Sequence, residues 1–523
     1  MASQCHTMAD GIRRSRLCTV LRVCVFSSLC VLTSGATHAQ TWWESRSGDF
    51  HVVSRLRRDE TVRIARDIEI YQIALASFFP IGDIHPHVPV TVLVLDASLW
   101  KKYVTNQRDR AGFAYTRNDR VDVVANGDNW VGASPLVYHE LTHVFLHKNF
   151  SGSALPVWFD EGYADFMSTV DAGVDHVRVG LVPAWRYISM HELPWMPLQT
   201  LLAVSRDSPQ YNSEKLAAAF YAQSWLIIHY QLFANPERRK QIDRYLSSLG
   251  VGNAPQQAFA TAFANDQGEF EQELKRYANQ TDFKYVAFDI PDVRKKIEAH
   301  VSELSASNAA EELGGWMIRN SSLNDASMQF LESQASHAAP ASIASLQLAI
   351  AYLRKKDKPD SVKSRLDAAC TPPVASWRAA MLCGDGELML AAADTSSADE
   401  SRKEDLMRRA QRSFSRALEL APDSIEVPLH AADAYRGYGS ESAALRGALE
   451  KALVRDPRNP EIAESLAALF QDVDPAKTRT YLERAVLNVF DAQHLQYLFE
   501  WLRSVEAQIA ATKAAASIAL PVK

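Results

Sequence analysis

His139-Glu-Leu-Thr-His143 sets two imidazoles four residues apart, with a carboxylate directly after the first. On a helix, positions i and i+4 share a face, so His139 and His143 can hold one divalent ion. Zn²⁺ suits a nitrogen-rich set of this kind. Glu140 would then stand beside the ion, suited to take a proton from a water. Ser134 and Pro135 read as the cap and first turn of the helix that carries the motif.

A catalytic zinc needs a third protein ligand. His147 lies eight residues beyond His139, about 12 Å along a helix axis, too far for an ion held between His139 and His143. It reads as a solvent or packing residue. Glu161 is the better third ligand. It sits in Leu155-Pro-Val-Trp-Phe-Asp-Glu-Gly-Tyr-Ala-Asp165, where an apolar run followed by acids suggests a second helix packed on the first. Asp165, one turn after Glu161, can reach the far ring nitrogen of a ligand histidine and fix its tautomer. The plain alternative is two surface acids on an amphipathic helix.

The elements that must position these groups follow from hydrophobic period. Asp49–Ser54 alternates like a short strand, and Val88–Leu95 is β-branched like a buried one. Thr61–Phe79 has helical apolar spacing. Gly112–Tyr115 and Val121–Val124 flank Arg117-Asn-Asp119 as a hairpin. From Ser134 to about Phe283 the pattern is mostly helical, which makes this an α+β half. From about Asp292 onward nearly everything reads as helix pairs. Ala410, Phe414, Ala417 and Pro422 recur as Ala452 and Pro457, then Ala485. Ala432 and Tyr435, then Leu466, Ala467 and Phe470, mark the intervening first helices. Leu348, Ala349, Tyr352, Ala368 and Pro373 fit one unit upstream. Small alanines let paired helices approach, and the aromatic ring fills the gap. The spacing resembles tetratricopeptide repeats over about 340–490, with unrelated helical hairpins as the alternative.

The chain has 523 residues, 56 Lys+Arg against 62 Asp+Glu, and a net charge of −6. A mildly acidic chain is a poor nucleic-acid or anionic-membrane binder. Residues 1–39 read as an export signal: Arg13, Arg14 and Arg16 precede a short apolar stretch from Val23 to Thr33, and Thr37-His-Ala39 offers a cleavage site before Gln40. A membrane anchor is the alternative, but the stretch is too short to span a bilayer. Cleavage removes four arginines and one aspartate, taking the net charge to −9, and four of the six cysteines. Cys370 and Cys383 remain, either as a disulfide in an oxidising compartment or as two buried thiols. No thiol nucleophile is left in the active-site half.

His139-Glu-x-x-His143 followed by Trp158-Phe-Asp-Glu161-Gly resembles the gluzincin metallopeptidases of clan MA. It is similar to the Trp-Leu-x-Glu-Gly signature of the aminopeptidase N family, with one residue fewer between His143 and Glu161 and no Gly-x-Met-x-Asn exopeptidase motif. Bacterial secreted peptidase-MA-like proteins are more similar still. They open with a Trp and a Phe-x-Val-x-Ser strand, as Trp42, Trp43 and Phe50–Ser54 do, and carry helical repeats behind the catalytic domain. The resemblance covers about 41–283. It implies an α+β zincin-like peptidase domain at 40–285, an all-α tetratricopeptide-like domain at 286–523, Zn²⁺ as cofactor, and a peptide or protein substrate. It also implies a tyrosine on a later helix that stabilises the oxyanion. Tyr221 stands where that residue is expected, with Tyr211 and His229 in reserve, and a core tyrosine is the alternative. Relatives pair extended substrate with a sheet-edge strand, a use open to Gly112–Tyr115 alongside that of an ordinary hairpin.

The expectation is an exported, periplasmic or secreted zinc metallopeptidase with Glu140 as general base. Its repeats would recruit substrate or a protein partner, with no nucleic acid and no stable membrane span after signal cleavage. The alternative is a catalytically silent repeat scaffold that binds partner proteins in the cell envelope. Glu140 counts against it, because a silent site has no chemical need for the base.

Overall fold

The structure, a computed structural model, describes residues 41–48, 50–78, 85–105, 110–150, 155–173, 176–234, 236–251, 253–263, 267–290, 300–320, 323–371, 374–393, 400–436 and 443–518. The expected signal at 1–39 and Pro373 lie outside the described residues. Residues 40–523 form one compact unit.

Among the described residues the main sheet has six strands: β1 (Trp42–Ser47), β2 (Phe50–Ser54), β3 (Val90–Leu95), β4 (Gly112–Thr116), β5 (Val121–Asn126) and a late strand, Val301–Leu304. They run in the order β4-β5-β3-β2-β1, with the late strand on the far side of β1. β5, β3 and β2 pair in parallel, while β4, β1 and the late strand add antiparallel. The strand period of two sorts side chains between two cores. Val90, Val92 and Val94 face α1 (Arg58–Phe78) and α3 (Trp130–Asn149). Leu93 and Leu95 face α2 (Ala97–Tyr103) and the helix Ala306–Arg319, where Leu313 and Trp316 pack. The predicted strands, helix and hairpin are all present; β1 and Val301–Leu304 had no pattern of their own. Val301–Leu304, and the strand Val286–Asp289 that completes a smaller sheet with Asp171–Ala172 and His176–Val179, lie past the boundary expected at 285.

One expectation needs correction. The motif helix does not start at Ser134 and Pro135: α3 begins at Trp130 and Pro135 lies inside it. The amide hydrogen that proline lacks would have bonded the carbonyl of residue 131, in the first turn, where Val131 is 80% exposed, so water can take its place.

Past residue 323 the chain is a run of helix pairs. Ala410, Phe414 and Ala417 are buried together, as are Ala452 and Ala485, in agreement with the repeat register. Upstream the register is one residue off: Ala369 is buried, and Ala368 is exposed. Close approach is literal at Gly384, where a Cβ would stand 2.5 Å from the Phe414 ring. Cys370 and Cys383 form a disulfide, tying helix Pro359–Ala369 to helix Trp377–Ala393. Among the described residues no helix is long and apolar enough to cross a membrane.

The repeats close on the sheet through buried charges. Arg120, beyond the hairpin tip, bonds Asp122 in β5 and, at 2.6 Å, Glu426 in helix Glu426–Tyr435. His430 in the same helix bridges Asp119 of the tip at 3.1 Å and Asp385 at 2.8 Å.

Candidate metal centre

α3 carries His139, Glu140 and His143. Its inner face, Val137, Tyr138, Leu141, Val144 and Phe145, is buried, and Tyr71 of α1 stacks on Tyr138 at 4.8 Å. This packing leaves the histidine face directed at α4 (Val157–Met167). α4 is buried along almost its whole length and lies against the helix Glu214–Phe233. The contact is backbone-close at Gly162, where a Cβ would come within 2.5 Å of the Ser224 carbonyl oxygen. Only glycine fits there, so the Glu161-Gly162 step has a packing reason, and it fixes Glu161 opposite α3.

His139 Nε2 and His143 Nε2 are 3.1 Å apart, and Glu161 Oε2 is 3.3 and 3.4 Å from them. A tetrahedral centre with bonds of about 2.0–2.1 Å holds its ligand atoms about 3.3–3.4 Å apart, so the triangle has the right size for zinc. Two further facts support this fit. Glu161 Oε2 is buried and makes no well-formed hydrogen bond, its neighbours being the two Nε2 atoms at ion-pair distance. Both Nδ1 atoms are turned away to carboxylates: His139 to Asp165 at 3.1 Å, as anticipated, and His143 to Asp160 at 2.7 Å. An imidazole that donates from Nδ1 keeps its Nε2 lone pair for a metal.

Sequence reasoning missed Asp160, Arg186, Arg206 and the role of Tyr211. Arg186 clamps Asp165 through two hydrogen bonds of 2.6 and 3.1 Å. Asp160 is taken up on both oxygens, Oδ1 by His143 and Oδ2 by His147 at 3.0 Å and Arg206 at 2.6 Å. His143, His147 and Asp160 therefore also cluster, but with every carboxylate oxygen satisfied. His147 stays outside the His139/His143/Glu161 set, as its position on the helix requires.

Tyr211 donates to Glu161 Oε1 at 2.8 Å. Tyr221 stacks on Tyr211, hydrogen-bonds to its hydroxyl, and carries the Arg186 guanidinium over its face at 4.7 Å. Burial and the Glu161 charge push both phenols up, Tyr211 to about 12, so both stay neutral donors. His229 is elsewhere: it bonds the Gly180 carbonyl and Tyr277 in the core, and burial lowers it to about 4. Burial alone would push His139 down, but the Asp165 and Glu161 carboxylates beside its two ring nitrogens outweigh it and lift it to about 9. His143 is also raised against burial, by the charges of Asp160 and Glu161. Glu140 is half-buried on the turn between the two histidines. β4, an edge strand of the sheet among the described residues, packs along α3, with a Cβ on Gly112 meeting Val137 Cγ2 at 3.7 Å.

No family model matches this chain, and no curated protein matches it. The crystal structure of TTC0263, a thermophilic TPR protein in Thermus thermophilus, is similar at 16% identity, covering 39% of this chain and 100% of that chain with a TM-score of 0.28. That likeness is too loose to assign the fold, which rests on the helices themselves.

Proposed function

We propose that the protein is an exported zinc-dependent peptidase of gluzincin type. His139, His143 and Glu161 would hold the ion, with Asp165 and Asp160 orienting the two imidazoles. A bound zinc supplies Lewis acidity toward a carbonyl and acidifies water. Glu140 accepts the proton of the water that attacks the peptide carbonyl and returns it to the nitrogen that leaves as the C–N bond breaks. Tyr221 would turn toward the oxyanion the hydroxyl proton it gives to Tyr211, and Tyr211 holds Glu161 in place. The β4 edge would offer backbone groups to an extended substrate.

The observation that carries this reading is the buried Glu161 Oε2 facing, at 3.3 and 3.4 Å, two Nε2 atoms whose Nδ1 partners are both carboxylates. The repeats would recruit substrate. Between the hairpin tip and the helices at 306–319, 343–355, 377–393 and 426–435 lies a cavity of about 610 Å³, lined by Arg117, Ile318, Ile350, Trp377 and Met381 among others, large enough for several residues of peptide. The Cys370–Cys383 disulfide suits an oxidising compartment.

The test is metal analysis of the purified protein together with cleavage of a peptide library by wild type and Glu140→Gln. The expected result is stoichiometric zinc in both, with chelator-sensitive cleavage that falls by about 10²-fold or more in the variant. Zinc without Glu140-dependent cleavage would leave a silent scaffold in its place.

A further inference from the structure

His143 is held in part from the far end of the chain. Its Nδ1 is bonded to Asp160, and the other oxygen of Asp160 is bonded to His147 Nε2 at 3.0 Å. The His147 ring in turn lies on the ring of Phe490, with centroids 4.1 Å apart and planes inclined by 31°. Phe490 follows the helix Pro475–Asn488, in the last part of the repeat array. The repeats grip this end of α3 once more, and the hairpin tip beside it once. Lys148 pairs with the buried Asp456, and Asn459 donates to the Asn118 carbonyl at 2.6 Å.

This arrangement constrains what His147 can do. Its side chain is 27% exposed, and an imidazole at the end of a helix has several rotamers open to it. With the Phe490 ring against it and the His143 ring 5.8 Å away, one orientation is kept, the one that puts Nε2 on Asp160. Without it, Asp160 has only Arg206 to balance it on that side, and Arg206 is itself 41% exposed. A carboxylate that swings toward Arg206 loosens its bond to His143.

Resting on the zinc reading above, we propose that Phe490 and His147 are positioning residues for the metal centre: the repeats press His147 onto Asp160, and Asp160 fixes the plane and tautomer of His143. The metal centre is then complete only when the repeats are docked on α3. Neither residue touches the ion or the reacting atoms.

The experiment uses the full chain and compares Phe490→Ala, Phe490→Tyr, His147→Ala and Phe470→Ala. Phe470 is a buried aromatic of the same array, stacked on Tyr481 at 5.7 Å and not in contact with His147, so it reports plain loss of packing. Zinc affinity is read by competition with a chromophoric chelator, geometry by the visible absorption of the cobalt-substituted protein, and folding by thermal melting with EDTA present. Phe490→Ala and His147→Ala are expected to weaken zinc about tenfold and to shift the cobalt spectrum, as loss of an outer-shell partner does. Phe490→Tyr restores both, and Phe470→Ala lowers the melting temperature without changing zinc affinity. The proposal fails if folded Phe490→Ala or His147→Ala binds zinc as wild type does, or if Phe470→Ala weakens zinc equally. A wild-type protein that binds no zinc overturns the metal reading as well, and that result is distinct from the other two.

Discussion

Raising the pH is expected to tighten zinc binding steeply, because protons occupy the centre where the ion would sit. In the metal-free protein His139 is lifted to about 9, its burial outweighed by Asp165 and Glu161, and His143 is raised in the same direction by Asp160 and Glu161. The two Nε2 atoms face each other at 3.1 Å, so a second proton is opposed by the first, and the pair holds at least one at neutral pH. Zinc needs both lone pairs, so binding expels at least one proton. One proton per ion is a factor of about ten per pH unit, or about 1.4 kcal/mol, so affinity should rise roughly 300-fold between about pH 6 and pH 8.5. Through about 9 the share of the slope that comes from His139 should fall away, since that imidazole is then neutral.

Chelator competition across that range measures the slope, and calorimetry in two buffers of different ionisation heat counts the protons directly. The sign for stability follows from the same shift. A histidine raised above its unfolded value of about 6.5 stabilises the metal-free fold fully below that pH, and the contribution is lost as pH rises through about 9. Metal-free protein should therefore weaken toward alkaline pH, and zinc should remove that dependence. Asp165→Asn takes away the first of the carboxylates that lift His139, so the pH at which its share of the slope falls away should move down. Affinity that is constant between about pH 6 and 8.5, or a proton count of zero, would refute the reasoning.

Other outcomes follow from single contacts. Tyr221→Phe should lower kcat about 10²-fold, the loss expected when an oxyanion donor is removed, and Tyr211→Phe, which releases one bond to Glu161, about tenfold; steady-state kinetics in which Tyr211→Phe is the worse variant would exchange their roles. Gly162→Ala drives a Cβ into the Ser224 carbonyl of the helix Glu214–Phe233, which should cost about 1–3 kcal/mol in urea unfolding and weaken zinc as Glu161 is displaced. Reducing Cys370–Cys383, or replacing both by serine, opens a loop of 13-residue separation and should cost about 3 kcal/mol, measured by chemical denaturation with and without reductant.

The ligand set was legible because its members are local. His139 and His143 share one helix face, and Glu161 sits in a short apolar segment with one packing surface. Asp165 could be placed for the same reason, one turn beyond Glu161. Asp160 could not be read out, although it adjoins Glu161, because its partners are 13, 17 and 46 residues away and no period connects them. Tyr211 was only a reserve because it lies in the four-residue helix Pro209–Asn212, which is too short to show a pattern. The start of α3 was misplaced because a serine–proline pair reads as a cap, while the turn before it, Trp130 to Ala133, is held by the burial of Trp130 and Ala133. The strand Val301–Leu304 acquires its meaning only by pairing with β1 across more than 250 residues.

That long-range pairing also decides how the two halves should be tested. Arg120 and Glu426 are both buried, with side chains 7% exposed, and each is the other's partner across the junction. Cutting the chain between sheet and repeats would leave Glu426 without Arg120, while Arg120 keeps only Asp122, and breaking a buried pair costs about 3–5 kcal/mol. His430 would lose Asp119, Asp456 would lose Lys148, and β1 would lose Val301–Leu304. A repeat fragment made alone should therefore be less stable than the intact array, and its failure to capture a partner would say little about the groove. Partner capture belongs on the full chain carrying Glu140→Gln, which keeps the ligands and the junction while removing the base. Captured peptides whose binding survives zinc removal would place recruitment in the repeats, and peptides lost with zinc would place it at the metal centre.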